Sequence, residues 1–427
     1  MPALTERPQP PGRGRLARRL GTGDAIVVGL GAMLGAGVFS AFGPAARAAG
    51  AGLLLSLAIA ALVAYANASS SAQLAALYPE SGGAYVYGRK RLGPLWGYLA
   101  GWGFITGKTA SCSAMALTFG SYAAPSAARP LGIAAVVALL GVNVLGIEKT
   151  AALTRAIVAI VLASLAFVVA AALAGGQQSA SRLAPLGGSG AYGILQAAGI
   201  LFFAFAGYAR IATLGEEVRD PKRTIPRAIP AALGITLLVY STVAVCALLA
   251  VGAPALAHSS APLQTVVEAG SWSRFAPVVR AGAAIASLGA LLSLLAGTSR
   301  TAFAMAANND LPPALSAVHP RHRTPYLAEL AIGTVVIAVT AVVDIRSAIG
   351  FSSFAVLSYY AIANAAALTL SPTERRTPKA VAALGLAGCV LLAAALPWHS
   401  VLVGATALAL GGLLYGARHR PSRTRQS

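Results

Sequence analysis

The chain has 427 residues, 57% of them hydrophobic and only 10% charged, with a mean hydropathy of +0.72. A soluble globule of this size needs far more polar surface, so composition excludes one and marks an integral membrane protein. The formal net charge of +20 would suit a nucleic-acid binder, but the basic residues sit in short clusters between apolar runs. That is a topology signal, and no nucleic-acid partner is expected.

Residues 1–22, rich in proline, arginine and glycine, read as a disordered basic cytoplasmic arm. Apolar runs of roughly 18 to 30 residues, each able to cross about 30 Å of hydrocarbon, then follow one another. They place helices at 24–46, 52–77, 94–122, 131–147, 153–175, 190–214, 228–252, 275–306, 326–343, 348–370, 379–396 and 399–417, leaving 418–427 as a basic tail. The expected fold class is therefore all-α, with twelve transmembrane helices. An even number of spans puts both termini on one side, and 24 of the 32 basic residues collect there against six on the other face. The positive-inside rule makes that face cytoplasmic, in the cell membrane.

The first helix contains GLGAMLGAGVFSAFG from Gly29 to Gly43, with Gly35-Ala36-Gly37 at its middle. A helix interrupted in lipid must have its freed N–H and C=O groups buried in protein or facing a polar cavity, which makes it a candidate ligand site. The competing reading is packing, since small residues four apart such as Gly31 and Gly35 let helices approach closely. Asp24 is expected to cap the start of this helix. After the second helix, PESGG from Pro79 to Gly83 reads as a turn into an amphipathic YVYGRKR segment on the cytoplasmic membrane surface.

In the third helix Lys108 lies about 14 residues, or roughly 21 Å, from Pro94, near mid-bilayer. It shares a face with Gly101, Phe104, Ser111 and Met115 by the 3,4 spacing. Cys112, Cys246 and Cys389 lie inside apolar runs without pairing or metal spacing, and read as packing residues. The sixth helix carries a second interrupted stretch, Phe203-Ala204-Phe205-Ala206-Gly207. Inward-pointing N–H donors at one break suit a carboxylate, and unwound carbonyls at the other suit an ammonium group. A site offering both fits a zwitterion, so an α-amino acid is the ligand class. Ser293, Thr298 and Ser299 in the eighth helix could line a sodium site, or simply back-bond to their own helix. Trp96, Trp102, Trp272 and Trp398 lie near helix ends and suit interfacial anchoring.

Every Asp, Glu and His lies at a helix end or in a loop. A membrane enzyme working at depth would need such groups there, so the expectation is no enzyme, no metal and no cofactor.

Four stretches together resemble the amino acid-polyamine-organocation superfamily, within it the amino acid permease branch that includes the cationic amino acid transporters. They are GDAIVVGLGAMLGAGVF, YPESGGAYVYGRKRLGPLWGYLAGW from Tyr78, FFAFAGYARIATLGEEVRDPKRTIPRAI from Phe202, and RTAFAMAANNDLPPALSAVHPRHRTP from Arg300. The resemblance implies alternating access on a five-plus-five inverted repeat, the LeuT-like fold, with helices 1 and 6 discontinuous. Residues 23–370 would form this core, as repeats of about 23–175 and 190–370, with 371–417 outside it. It also implies a substrate carboxylate on the backbone of Gly35, Ala36, Gly37 and Val38. The amino group would sit on Phe203, Ala204, Phe205, Ala206 and Gly207, with Phe104 lining the pocket.

Two departures from the family stand out. Proton-coupled relatives often carry a fifth-helix lysine where this chain has Val161, which leaves Lys108 as the candidate proton carrier. Where many relatives have an acidic residue, this chain has Ala209 followed by Arg210, which with Glu216 and Glu217 is a candidate inner gate or else an arginine reaching to the cytoplasmic interface. The function expected is proton-coupled uptake of amino acids, with sodium less favoured than the proton. An amino acid/amine exchanger of the same fold is the alternative within transport. No pocket carboxylate is evident to pair a cationic side chain, which favours small neutral substrates.

Overall fold

The structure, a computed structural model, describes residues 20–78, 80, 82–146, 151–176, 178–212, 214 and 218–418. Its helices are α1 (Thr22–Met33), α2 (Ala36–Ser40), α3 (Phe42–Ala49), α4 (Leu53–Leu77), α5 (Ala84–Arg91), α6 (Pro94–Ala123), α7 (Ala128–Val144) and α8 (Ala151–Ala174). Then come α9 (Gly190–Phe205), α10 (Ala209–Ala212), α11 (Pro221–His258), α12 (Pro262–Glu268), α13 (Ala276–Ala307), α14 (Tyr326–Val342), α15 (Ile345–Leu368), α16 (Lys379–Ala395) and α17 (Trp398–Arg418). Nine helical runs among the described residues are long and apolar enough to cross a membrane, and α14 and α16 are shorter apolar helices. The thirty-residue α6 is long enough but richer in Gly, Ser and Thr. The fold is all-α and membrane-spanning, as expected.

Glycines set how the first span lies on the sixth. A Cβ on Gly29 would meet Ile211, one on Gly37 the backbone of Ala204, one on Gly207 the carbonyl of Ala32, and one on Gly193 the carbonyl of Ala48. Position rises along one chain as it falls along the other, so α1–α3 and α9–α10 lie antiparallel over their whole length. The chain then reverses at Gly50, whose φ of +58° favours glycine. Ser56 at the start of α4 donates to the Ile194 carbonyl, so α4 runs back alongside α9.

Several local expectations need correction. Asp24 does not cap α1: Gly21 is the N-cap, and Asp24, three residues on, accepts the Gly21 N–H and pairs with Arg155. A carboxylate inside the first turn does the same electrostatic work from a different position. The seventh span starts at Pro221 rather than 228: Pro221 sits in the first turn, where its missing N–H costs nothing, and the helix continues through Pro226 and Pro230 in its interior. Its kink falls at Gly252, where φ is +74°. The YVYGRKR segment is amphipathic in α5, with Tyr85 and Tyr87 buried against the bundle and Arg89, Lys90 and Arg91 at its more exposed end. Trp102 is an internal contact whose Nε1 donates to the Ala407 carbonyl at 2.8 Å, whereas Trp96 and Trp398 are exposed. Pro79, Ser81, residues 1–19 and 419–427 lie outside the described residues.

Asp344 is the clearest cap, accepting from the N–H groups of Arg346 and Ser347 and the Ser347 hydroxyl. Burial pushes its carboxyl up, but these hydrogen bonds outweigh it and hold it below the usual carboxylate range. A depressed native value stabilises above about pH 4 and is lost as pH falls through it. Asp344→Ala is therefore expected to cost about 1 kcal/mol at pH 7. Thermal unfolding of the purified protein should show the difference shrinking towards about pH 3.

Candidate functional site

The two breaks meet at the same depth. Helix α1 ends at Met33, Leu34 and Gly35 leave helical geometry, and α2 begins at Ala36. Helix α2 continues through Ala41, itself helical, into α3. The α1 end therefore presents carbonyls and the α2 start presents N–H groups within a few residues of each other. The sixth-span break is gentler than expected: a 3₁₀ turn at Ala206–Tyr208 between α9 and α10. Close approach requires the glycines. A Cβ on Gly35 would stand 2.6 Å from the Ala290 Cβ, and one on Gly37 would stand 2.7 Å from the Ala204 Cα. Val38, Ala204, Phe205 and Ala206 are buried with Phe203. Packing and interruption thus belong to the same glycines.

Sequence reasoning missed the tyrosines that clasp the breaks. The Tyr240 hydroxyl of α11 contacts the Met33 carbonyl and also the Ala204 carbonyl at 3.1 Å. One hydroxyl has one proton, so two carbonyls compete for it and a cationic N–H donor between them would satisfy the second. Tyr360 of α15 donates to the Ala206 carbonyl at 3.5 Å, and Tyr122 of α6 donates to the Phe39 carbonyl at 2.8 Å. A signal was available, since each tyrosine places a hydroxyl that needs a partner inside a membrane-spanning helix.

Phe104 packs against the aromatic side chains of α15. Its ring packs on Tyr359 at 5.3 Å, and Tyr359 packs on Tyr360 at 5.1 Å. Lys108 is 5% exposed, and its Nζ lies 5.9 Å from the centre of the Phe104 ring. Among the described residues it makes no hydrogen bond or ion pair. It stands between two α6–α15 contacts, Phe104 on Tyr359 and the Ser111–Ser352 hydroxyl pair at 2.6 Å. Val161 is buried on α8, one turn beyond Val158, the residue that a Gly31 side chain would meet.

Ser293, Thr298 and Ser299 each donate to the carbonyl four residues earlier, which is the back-bonded arrangement. Arg210 lies in α10, but Glu216 and Glu217 fall outside the described residues. On the α5 side, the described residues hold a different charged cluster, with Asp310 accepting from Arg89 at 2.8 Å and from Tyr85 at 2.7 Å. At the opposite end, Ser40 lines a cavity of about 570 Å³ with Pro44, Leu117, Arg129, His258 and Arg346.

A bundle of apolar helices enclosing two facing backbone breaks, with no metal-ligand cluster among the described residues, has the form of a solute-carrying membrane protein. Residues 24–415 match the amino acid permease family, and the chain belongs to it. It is 59% identical over 403 residues to an uncharacterized transporter of Mycobacterium tuberculosis, covering 94% of this chain and 92% of the relative. It is 26% identical over 437 residues to the branched-chain amino acid permease of Bacillus subtilis, covering 95% and 93%. It is 29% identical over 375 residues to human cationic amino acid transporter 4, covering 81% of this chain and 58% of that one. The chain is a transporter and not an enzyme.

Gly37→Ala should disturb the site directly, because its Cβ would meet Ala204 backbone that cannot swing aside. Initial uptake in proteoliposomes is expected to fall about tenfold, the scale of a 1–3 kcal/mol overpacking penalty. Gly23→Ala, with open space around it, should leave uptake unchanged.

Proposed function

We propose that this chain is a proton-coupled permease that carries neutral amino acids into the cytoplasm by alternating access on a five-plus-five inverted repeat. The plasma membrane holds it, with both termini inside, in keeping with the 24 to six distribution of basic residues. The observation that carries the reading is the Tyr240 hydroxyl shared between the Met33 and Ala204 carbonyls, with the α2 N-terminus beside them. The substrate's ammonium group takes the carbonyls of Met33 and of Phe203–Gly207. Its carboxylate takes the N–H groups of Gly35–Val38. The antiparallel run of α1–α3 against α9–α10 supports the inverted repeat, because two broken helices related in this way bring opposite backbone ends to one point.

The side-chain end favours neutral substrates. Asp24 is engaged with Arg155 and Asp310 with Arg89, while Glu329 of α14 is buried with one carboxylate oxygen unpartnered among the described residues. Aromatic rings and alanines surround the breaks instead. The name of the Bacillus relative supports the same class, and that of the human relative a cationic one.

Lys108 carries the coupled proton. A buried amine with no described acceptor holds a proton at a cost that changes when the bundle rearranges. In proteoliposomes with an imposed proton gradient, accumulation of L-isoleucine is expected to fall at least about tenfold in Lys108→Ala, since losing the carrier removes the driving force. Exchange of labelled for unlabelled L-isoleucine should persist. Unchanged proton-driven uptake in both Lys108→Ala and Lys108→Arg would remove Lys108 from the mechanism. Uptake that requires amino acid or amine inside the vesicle would instead identify an exchanger. L-Arginine transport without L-isoleucine transport would reverse the substrate class.

A further inference from the structure

A polar cluster lies one helical turn from Tyr360, in a region where apolar packing would suffice. Asn67 of α4, Asn364 of α15 and Cys389 of α16 are all buried. Asn364 Nδ2 donates to Asn67 Oδ1 at 2.6 Å and to the Tyr360 carbonyl at 2.9 Å, which uses both of its protons. The Cys389 thiol donates to the same Asn67 Oδ1 at 3.3 Å. Gly385 lets α16 close over the amide, since a Cβ there would stand 2.4 Å from Asn364 Oδ1.

Asn67 Nδ2 and Asn364 Oδ1 have no partner among the described residues. Burying two amides with spare hydrogen-bonding capacity is costly, so the cluster serves something that packing alone does not. Its nearest consequence is at Tyr360. The Asn364 amide bonds back to the carbonyl four residues earlier, which ties it to the turn of α15 that carries Tyr360. From there the Tyr360 ring stacks on Tyr208 at 5.0 Å, meets Phe202 edge-on at 5.8 Å, and sends its hydroxyl to the Ala206 carbonyl.

We propose that Asn364, held by Asn67 and Cys389, is a positioning residue that fixes Tyr360 and, through it, the Ala206 carbonyl at the α9–α10 break. Helix α16, outside the expected ten-helix core, thereby acts on the site. The inference rests on the reading that this break holds the substrate's amino group.

The test is a double-mutant cycle of Asn364→Leu and Tyr360→Phe, read two ways. Hydrogen–deuterium exchange across residues 203–212 should speed up about tenfold in each single variant, as expected for a lost buried hydrogen bond. The apparent KM for L-isoleucine counterflow should rise about tenfold with the maximal rate held within about twofold. The double variant should be no worse than either single one, because both act on one contact. Cys389→Ala should shift both readouts the same way by less, and Cys389→Ser, which keeps a donor, should restore them. If Asn364→Leu does not fold, the Cys389 pair decides. Unchanged exchange at the break in Asn364→Leu, additive effects in the double variant, or no difference between the Cys389 variants would overturn the proposal. Absence of L-isoleucine counterflow in the unsubstituted protein would overturn the substrate reading alone, since exchange at the break needs no substrate.

Discussion

Backbone polar groups inside a bilayer have no water to turn to, and the structure is arranged around that constraint. A break at Leu34–Gly35 would be intolerable facing lipid. It survives because a second break lies antiparallel against it, brought close by Gly37 on Ala204 and Gly207 on Ala32. Tyrosine hydroxyls from α11 and α15 then take up the carbonyls that the two breaks release. The interrupted backbone that demands this enclosure is also the part of the bundle on which the proposed function rests.

The two ends of the bundle use charge differently. At the basic end, Leu20 pairs with Val218 in an isolated bridge, Arg155 meets Asp24, and Asp310, 1% exposed, gathers Arg89 and Tyr85. Burial and the Asp310 carboxylate push the Tyr85 hydroxyl up to about 12, so it stays a donor across physiological pH. At the other end the few arginines mostly bind helix-terminal carbonyls. Arg280 reaches Tyr122 and Ala123 at the end of α6, Arg47 and Arg346 share the Ala257 carbonyl near the end of α11, and Arg129 reaches Val343 after α14. Cations there offset the negative ends of helix dipoles. Their presence on that face is accounted for by capping and leaves the topology signal intact.

Much of the fold was legible because hydrocarbon thickness imposes a length on every apolar run. The spans from α6 to α17 follow the runs to within a few residues, except that α11 begins seven residues before and ends six residues after its expected run, and the short α12 answers to none of the expected helices. The segment 84–91 is amphipathic by sequence, and its neighbours show what the apolar side packs on: Tyr85 and Tyr87 face inward.

At the site, glycine spacing in the first span and the FFAFAG stretch in the sixth pointed to two interruptions, with close helix packing as the competing reading of the same glycines. Sequence by itself therefore determined the all-α membrane fold, the family and the two places where helices give way. It did not determine which side chains close over those places. Tyr240, Tyr360 and the Asn67–Asn364–Cys389 cluster come from helices far apart in the chain, and their convergence depends on helix rotation and register. Periodicity along one helix leaves that rotation open, and only packing against neighbours decides it.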